Sequence, residues 1–200
     1  MPQSPQPIGR RERNKRDKLE RIIAAARELF DAYGVDAVTT QQIADKADIG
    51  TGTLFLYARS KSELLLLVQN SSYVAALEEG MAAADSTTDG LEAVLAIIRP
   101  IVECNRTHIE NGRTYLRELL FGDPQEPHHR DALTLTLKTE AAVAAVLSRD
   151  GRMEANDAAT FAQIISAIMF VSMAATINAT HTVDGIIEEI AGRVRVMLPG

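Results

Sequence analysis

At 200 residues, 46% of them apolar and 24% charged, the chain has the make-up of a globular protein with room for one small module and one larger core. Its single cysteine, Cys104, excludes an intramolecular disulfide and suits a reducing cytoplasm. The net charge of −6 is uneven: residues 1–61 hold 11 Lys and Arg against 8 Asp and Glu, and residues 62–200 hold 10 against 19, so a basic end that suits a nucleic-acid surface sits on an acidic body that would stay off it.

Residues 1–9 carry three prolines and no charge, a composition that predicts disorder. The basic run Arg10, Arg11, Arg13, Lys15, Arg16 and Lys18 follows. Residues 1–16 read as a disordered basic arm that neutralises phosphates or enters a minor groove, against the plainer alternative of a solvated, partly helical tail. No apolar run of signal-peptide type occurs there, which argues against secretion.

A head domain is expected over residues 17–61. Leu19, Ile22, Ile23, Ala26, Leu29, Phe30 and Tyr33 recur at helical spacing and give one apolar stripe, with Gly34 as C-cap. Residues 38–61 then read as a helix-turn-helix. Thr39 with Gln42 forms a capping box for a first helix ending near Ala47. Asp48 takes the left-handed turn, Ile49 plugs the crevice, and Gly50 caps a second helix over 51–58. Ile43, Ala44, Ile49 and Leu54 face inward. Outside remain Thr39, Thr40, Gln41, Thr51, Gly52 and Thr53, short polar groups able to meet phosphates and base edges. The plain alternative is a helical hairpin that only packs.

The body, residues 62–200, reads as all helix. Ser60 with Glu63 starts a helix running to about Ala84 that ties head to body. After the break at residues 86–90, Leu91, Val94, Leu95, Ile98, Ile101 and Val102 mark a helix kinked by Pro100. A shorter helix is expected over 113–121, then a loop over 122–127. His128 and His129 read as solvated, since adjacent histidines diverge on a helix and no ligand set accompanies them. Leu133, Leu137, Ala141, Ala144 and Leu147 fit a helix to Ser148.

Residues 158–183 hold no Asp, Glu, Lys or Arg. That length could span a bilayer, yet Gln163, Ser166, Ser172, Thr176 and Asn178 interrupt it and flanking anchors are missing. The expectation is a helix buried all round with a partner chain as cover. Ile186, Ile187, Ile190, Val194 and Met197 stripe the last helix. Together, helices over about 156–182 and 184–198 would build a two-fold four-helix interface, with small Ala167, Ala174, Ala175 and Ala179 allowing close approach.

Leu29-Phe30, Tyr33-Gly34, Thr39, Ile43-Ala44, Ala47, Ile49, Gly52-Thr53-Leu54, Tyr57, Lys61 and Leu64-Leu65 resemble the tetracycline-repressor (TetR) family of transcriptional regulators over about the first third of the chain. The resemblance implies an all-α protein: a three-helix helix-turn-helix domain, then a helical ligand-binding and dimerisation domain. It places Thr39 and Thr40 near phosphate and Gln41 where members often carry Arg. It places Thr51, Gly52, Thr53, Leu56 and Tyr57 on the reading helix, and Lys61 at a phosphate. Phe55, where members usually have a phosphate-bound Tyr, and Leu56 and Ala58 depart from the pattern. Leu56 offers an apolar contact to a thymine methyl.

A homodimeric repressor on double-stranded, near-palindromic operator DNA, released by a small molecule, is what the resemblance implies, in the cytoplasm on the nucleoid. Half-sites would lie about 34–36 Å apart or a multiple of that. Candidate effector contacts are Cys104, His108, Tyr115, Leu119, Met169, Phe170 and Met173, a mainly apolar set. No catalytic, metal or cofactor site emerges: there is no Ser-His-Asp order, Gly-rich phosphate loop or metal spacing. His108 and Glu110 are too close in sequence to share a helix face. A ligand-binding or scaffold protein that has lost DNA binding is the third class.

Overall fold

The computed structural model describes residues 9–149, 151 and 153–197. Among them the protein is all helix: α1 (Arg10–Tyr33), α2 (Thr40–Lys46), α3 (Thr51–Leu54), α4 (Lys61–Asp85), α5 (Gly90–Arg106), α6 (Ile109–Phe121), α7 (Pro127–Leu147), α8 (Ala155–Ala174) and α9 (Val183–Met197), with a 3₁₀ turn at Thr176–Asn178. The first three helices form the head, and α4 leads from it into the body.

The basic run is helical, which corrects the expectation of a disordered arm to residue 16. Arg, Lys and Glu are good helix formers, Arg16 pairs with Glu20 one turn on, and the helix continues unbroken into the apolar stripe. Residues 1–8 of the expected arm lie outside the described residues. At the other end Gly34 has φ +77° and donates its N–H to the Phe30 carbonyl, the glycine C-cap expected.

Both halves of the Thr39–Gln42 capping box are present, and Asp48 takes φ +54°. The reading helix is shorter than the 51–58 expected. Gly50 gives it no side-chain cap, Gly52 weakens its interior, and residues 55–57 tighten into i→i+3 bonds such as Leu56 N to Thr53 O. Ser60 caps α4 by accepting from Glu63 N, but the Glu63 carboxylate turns to Arg59 N, so only half of the second capping box forms.

In the body α4 crosses α5 at Gly80, where an added Cβ would lie 2.7 Å from the Ile97 carbonyl oxygen. α5 runs through Pro100 to Arg106. α6 begins four residues earlier than residue 113, because His108 caps it through its ring nitrogen. The uncharged stretch 158–183 is not one helix. It breaks after Ala174, where Arg113 takes the Ala174 carbonyl, Arg106 takes those of Asn178, Ala179 and His181, and Asn178 folds back onto Ser172 O. α8 is long and apolar enough to cross a membrane by composition, yet Ala162, Ile165, Met169 and Met173 are buried in the body.

The stripe of α9 also differs from expectation. Ile186, Ile187, Ile190 and Val194 are buried within the chain's own core, where α9 packs on α5 and α8. One core cluster runs from Ile22 in the head to Val194 in α9. A buried amide crosses the boundary: Asn111 of α6 accepts from Val35 N at 2.7 Å and donates to Phe30 O at 2.8 Å.

Candidate functional site: nucleic-acid interface and body cavity

The outer face of the head is built by α2, α3 and the first turns of α1. Thr39, Gln41 and Gly52 are exposed, and Thr40, Thr51 and Thr53 half-buried. Gln41 is engaged within the face: it accepts from Thr51 Oγ1 at 2.6 Å and donates to Asp45 Oδ1 at 2.6 Å, locking α3 against α2. Leu56, 83% exposed, and Phe55, 44% exposed, put two apolar side chains beside these hydroxyls. A surface of hydroxyls and apolar tips without a free bidentate amide suits phosphates and thymine methyls better than guanine.

Tyr57 and Lys61, which the resemblance places on the reading helix and at a phosphate, are both engaged within the protein. The Tyr57 hydroxyl donates to the Lys15 carbonyl at 3.3 Å, tying α3 to the start of α1. The Lys61 ammonium donates to Asp36 O at 3.1 Å and Val38 O at 3.2 Å, so two of its three donors hold the α1–α2 loop. Arg10, Arg11 and Arg13 are exposed on the first turns of α1. Arg11, Glu12, Asn14, Lys15, Lys18 and Tyr57 line one open groove, so the basic run shares a surface with the segment just after α3.

Inside the body lies a cavity of about 30 Å³. Of the seven side chains expected at an effector, Tyr115, Leu119, Met169, Phe170 and Met173 line it. The reading missed Tyr73 of α4, Thr136 and Thr139 of α7, and Ser166 of α8. Thr136 and Thr139 stand at helical spacing with Ala132 and Leu135, the one sequence signal that could have placed them. The Ser166 hydroxyl is buried without a partner. Tyr73 and Tyr115 stack at 4.6 Å, and burial pushes both phenols above their ordinary range. Such a volume holds a water or two, so anything larger must part the helices that line it.

Cys104 and His108 fall outside this cavity. His108 caps α6 and packs against Gly34. Cys104 lies half-buried in a separate groove with Arg27, Ser71 and Glu79, and burial pushes its thiol up to about 11. Its alkylation by iodoacetamide near pH 8 is expected to run about 100-fold slower than that of a free thiol, because the thiolate is the nucleophile. Ellman-monitored labelling checks this, and modification at the free-thiol rate would remove the buried assignment.

Hydrogen bonds connect cavity and head. Tyr115 Oη donates to Asn70 Oδ1 at 2.8 Å, Asn70 Nδ2 donates to the His128 carbonyl at 2.9 Å, and His128 Nε2 meets the Tyr57 carbonyl at 2.8 Å. His129 is buried, with Nε2 against Leu119 O. The two histidines are therefore joints rather than solvated side chains, a role invisible in sequence because their partners are distant. One helix, α7, fastens the end of the reading head by its first turn and lines the cavity with Ala132, Leu135, Thr136 and Thr139.

Residues 22–68 match the family model of the tetR family of bacterial regulatory proteins. No curated protein matches the chain. Among solved structures, FadR of Thermus thermophilus, a TetR-family transcriptional repressor in complex with lauroyl-CoA, superposes with TM-score 0.72 at 24% identity, covering 90% of this chain and 93% of that one. A TetR transcriptional regulator from Rhodococcus sp. gives 0.71 at 16% identity, covering 92% and 97%. FadR of Bacillus subtilis, in complex with stearoyl-CoA, gives 0.66 at 16% identity, covering 90% and 98%. At these identities the likeness is one of fold.

Proposed function

We propose that the chain, whose residues 22–68 match the family model of the tetR family of bacterial regulatory proteins, is a homodimeric repressor whose grip on a near-palindromic operator weakens when a small, mainly apolar molecule enters the body cavity. The observation that carries this reading is the double attachment of α7, to the cavity by four side chains and to the reading head by His128. An effector that parts α7 from α8 favours a second head position, and it acts to the extent that it binds that position better. No chemical step is involved.

In this reading α1 to α3 form the DNA-binding domain and residues 62–200 the effector and dimerisation domain. Thr39, Thr40, Thr51, Gly52, Thr53 and Leu56 face the operator, and Arg10, Arg11 and Arg13 with Lys15 and Lys18 neutralise flanking phosphate. The protein then works in the cytoplasm, on the nucleoid. Two fold neighbours are in complex with lauroyl-CoA and with stearoyl-CoA, and the cavity here is apolar with a few hydroxyls, so acyl compounds are the first effectors to screen.

The dimer is supported by Ile164, Ala167 and Val171, an exposed apolar face of α8 at helical spacing, with Ile177 beyond the break at 82% exposure. Faces of this kind are covered in stable proteins. Because the α9 stripe is used inside the chain, α9 would contribute its other side, through Val196.

A second reading, a ligand-binding protein with a degenerate head, draws on Gln41 and Lys61 being engaged internally. Selection of duplexes from a random pool at low and moderate salt separates the two. A near-palindromic motif is expected; recovery of salt-sensitive, sequence-blind binding alone would favour the second reading. On the selected duplex Arg11→Ala is expected to weaken binding to all sequences alike and to reduce the salt slope by about 1, and Thr53→Ala is expected to relax preference at one position.

A further inference from the structure

A hydroxyl inside a helix can give its proton to the carbonyl one turn back. Thr136 and Thr139 of α7 do so, donating to Ala132 O at 3.3 Å and Leu135 O at 3.0 Å. Ser166 of α8 does not. It is 5% exposed and its hydroxyl has no hydrogen-bond partner. It lines both the body cavity and a second one of about 10 Å³, which share Thr139 and Met169 as well. Tyr73, on the body cavity, holds another uncommitted proton. Its oxygen accepts from Asn105 Nδ2 at 2.7 Å, and its own O–H has no acceptor among the described residues. Tyr115 differs, since it donates to Asn70.

Charge narrows what these two donors can meet. No Lys, Arg or His lines either cavity, and Glu140 lines the smaller one. A carboxylate brought here would give up its hydration with no cation to replace it, and would face a second carboxylate. A neutral carbonyl oxygen carries no such penalty and has two lone pairs for donors to fill. Burial raises the Tyr73 phenol well above its ordinary range, so it remains a donor through neutral pH.

We propose that the body cavity takes a neutral, apolar carbonyl compound, an ester or ketone rather than a free acid, and that the Ser166 hydroxyl, with that of Tyr73 as second donor, holds its oxygen. This rests on the proposed function for the cavity's being the effector site, and adds to it the chemical class of the effector. An unsatisfied buried hydroxyl destabilises the empty chain. Ser166 therefore weakens the fold when the cavity is empty and is satisfied when a carbonyl enters.

Calorimetry of the full chain at neutral pH tests this with matched pairs: methyl decanoate against decanoate, and butyrophenone against phenylbutanoate. At least one neutral member should raise the melting midpoint and bind at least about tenfold more tightly than its acid. Ser166→Ala should weaken that binding by about tenfold, the effect of one neutral hydrogen bond. The same change should raise the midpoint of the empty chain by about 2–4 °C. That rise should exceed the one given by Ser72→Ala, a half-buried position of α4 that reports helix propensity. Tyr73→Phe should weaken the same binding but lower the midpoint, because it strands the buried Asn105 amide. Neutral and acidic members that bind alike, or binding undiminished in both variants, overturn the assignment. Binding of no probe also overturns it and leaves a trapped water as the partner of Ser166. Neutral binding that depends on Ser166 yet leaves affinity for a selected duplex unchanged counts against the proposed function and keeps the site.

Discussion

Asn111→Ala is expected to lower the unfolding free energy by about 3 kcal/mol, since two buried backbone groups lose their partner at once. Asn111 is 1% exposed and serves the head from the body: its Oδ1 accepts from Val35 N and its Nδ2 donates to Phe30 O, just where α1 ends. An unpaired buried N–H or C=O costs about 1–3 kcal/mol, and truncation strands one of each. Asn111→Asp keeps the acceptor, loses the donor and buries a charge, so it should destabilise at least as much at neutral pH. Urea denaturation measures both, as a lower midpoint with an unchanged slope. A loss below about 0.5 kcal/mol, the range of an ordinary surface substitution, would show that water replaces the amide there.

The second large effect concerns assembly. Val171→Asp places a carboxylate in the middle of the exposed face of α8, and because Val171 is 62% exposed in the chain the fold itself should be spared. Sedimentation should then find monomer in place of the dimer proposed for the wild type. Affinity for a two-half-site duplex should fall by about 100-fold or more, because the second half-site contact ceases to be intramolecular. Ile164→Asp, on the same face, should act alike, and the same change at buried Ile186 should unfold the chain instead. A dimer that survives both α8 substitutions would place the interface on another face.

Local chemistry was well expressed in the sequence. Thr39 with Gln42, Asp48, Gly34 and Ser60 each carry their own geometry, because caps and left-handed residues act within four positions, and the structure has them where spacing put them. What the spacing could not carry was identity of the partner. The α9 stripe is as apolar as a dimer seam, and periodicity says which face is apolar, not whether α5 or another chain covers it. Likewise the break at Ala174 is made by Arg106 and Arg113, some sixty to seventy residues upstream. His128 looks like a solvated residue beside another until Tyr57, 71 positions away, arrives at its ring. The cavity followed the same rule: its apolar wall was legible, while Thr136, Thr139 and Ser166 resemble ordinary helix polar residues until α7 and α8 are brought face to face.

The close crossing at Gly80 has a mechanical meaning. Backbone meets backbone there, with no side chain on α4 to yield between Gly80 and Ile97, so that point is a fulcrum. From it α4 extends back to Lys61 and the head, a lever of about 28 Å at 1.5 Å per residue. Turning such an arm by about 6° swings its far end by about 3 Å, which is more than the whole length tolerance of a hydrogen bond. A slight turn at the crossing is thereby magnified into a displacement of about 3 Å at the head end of α4.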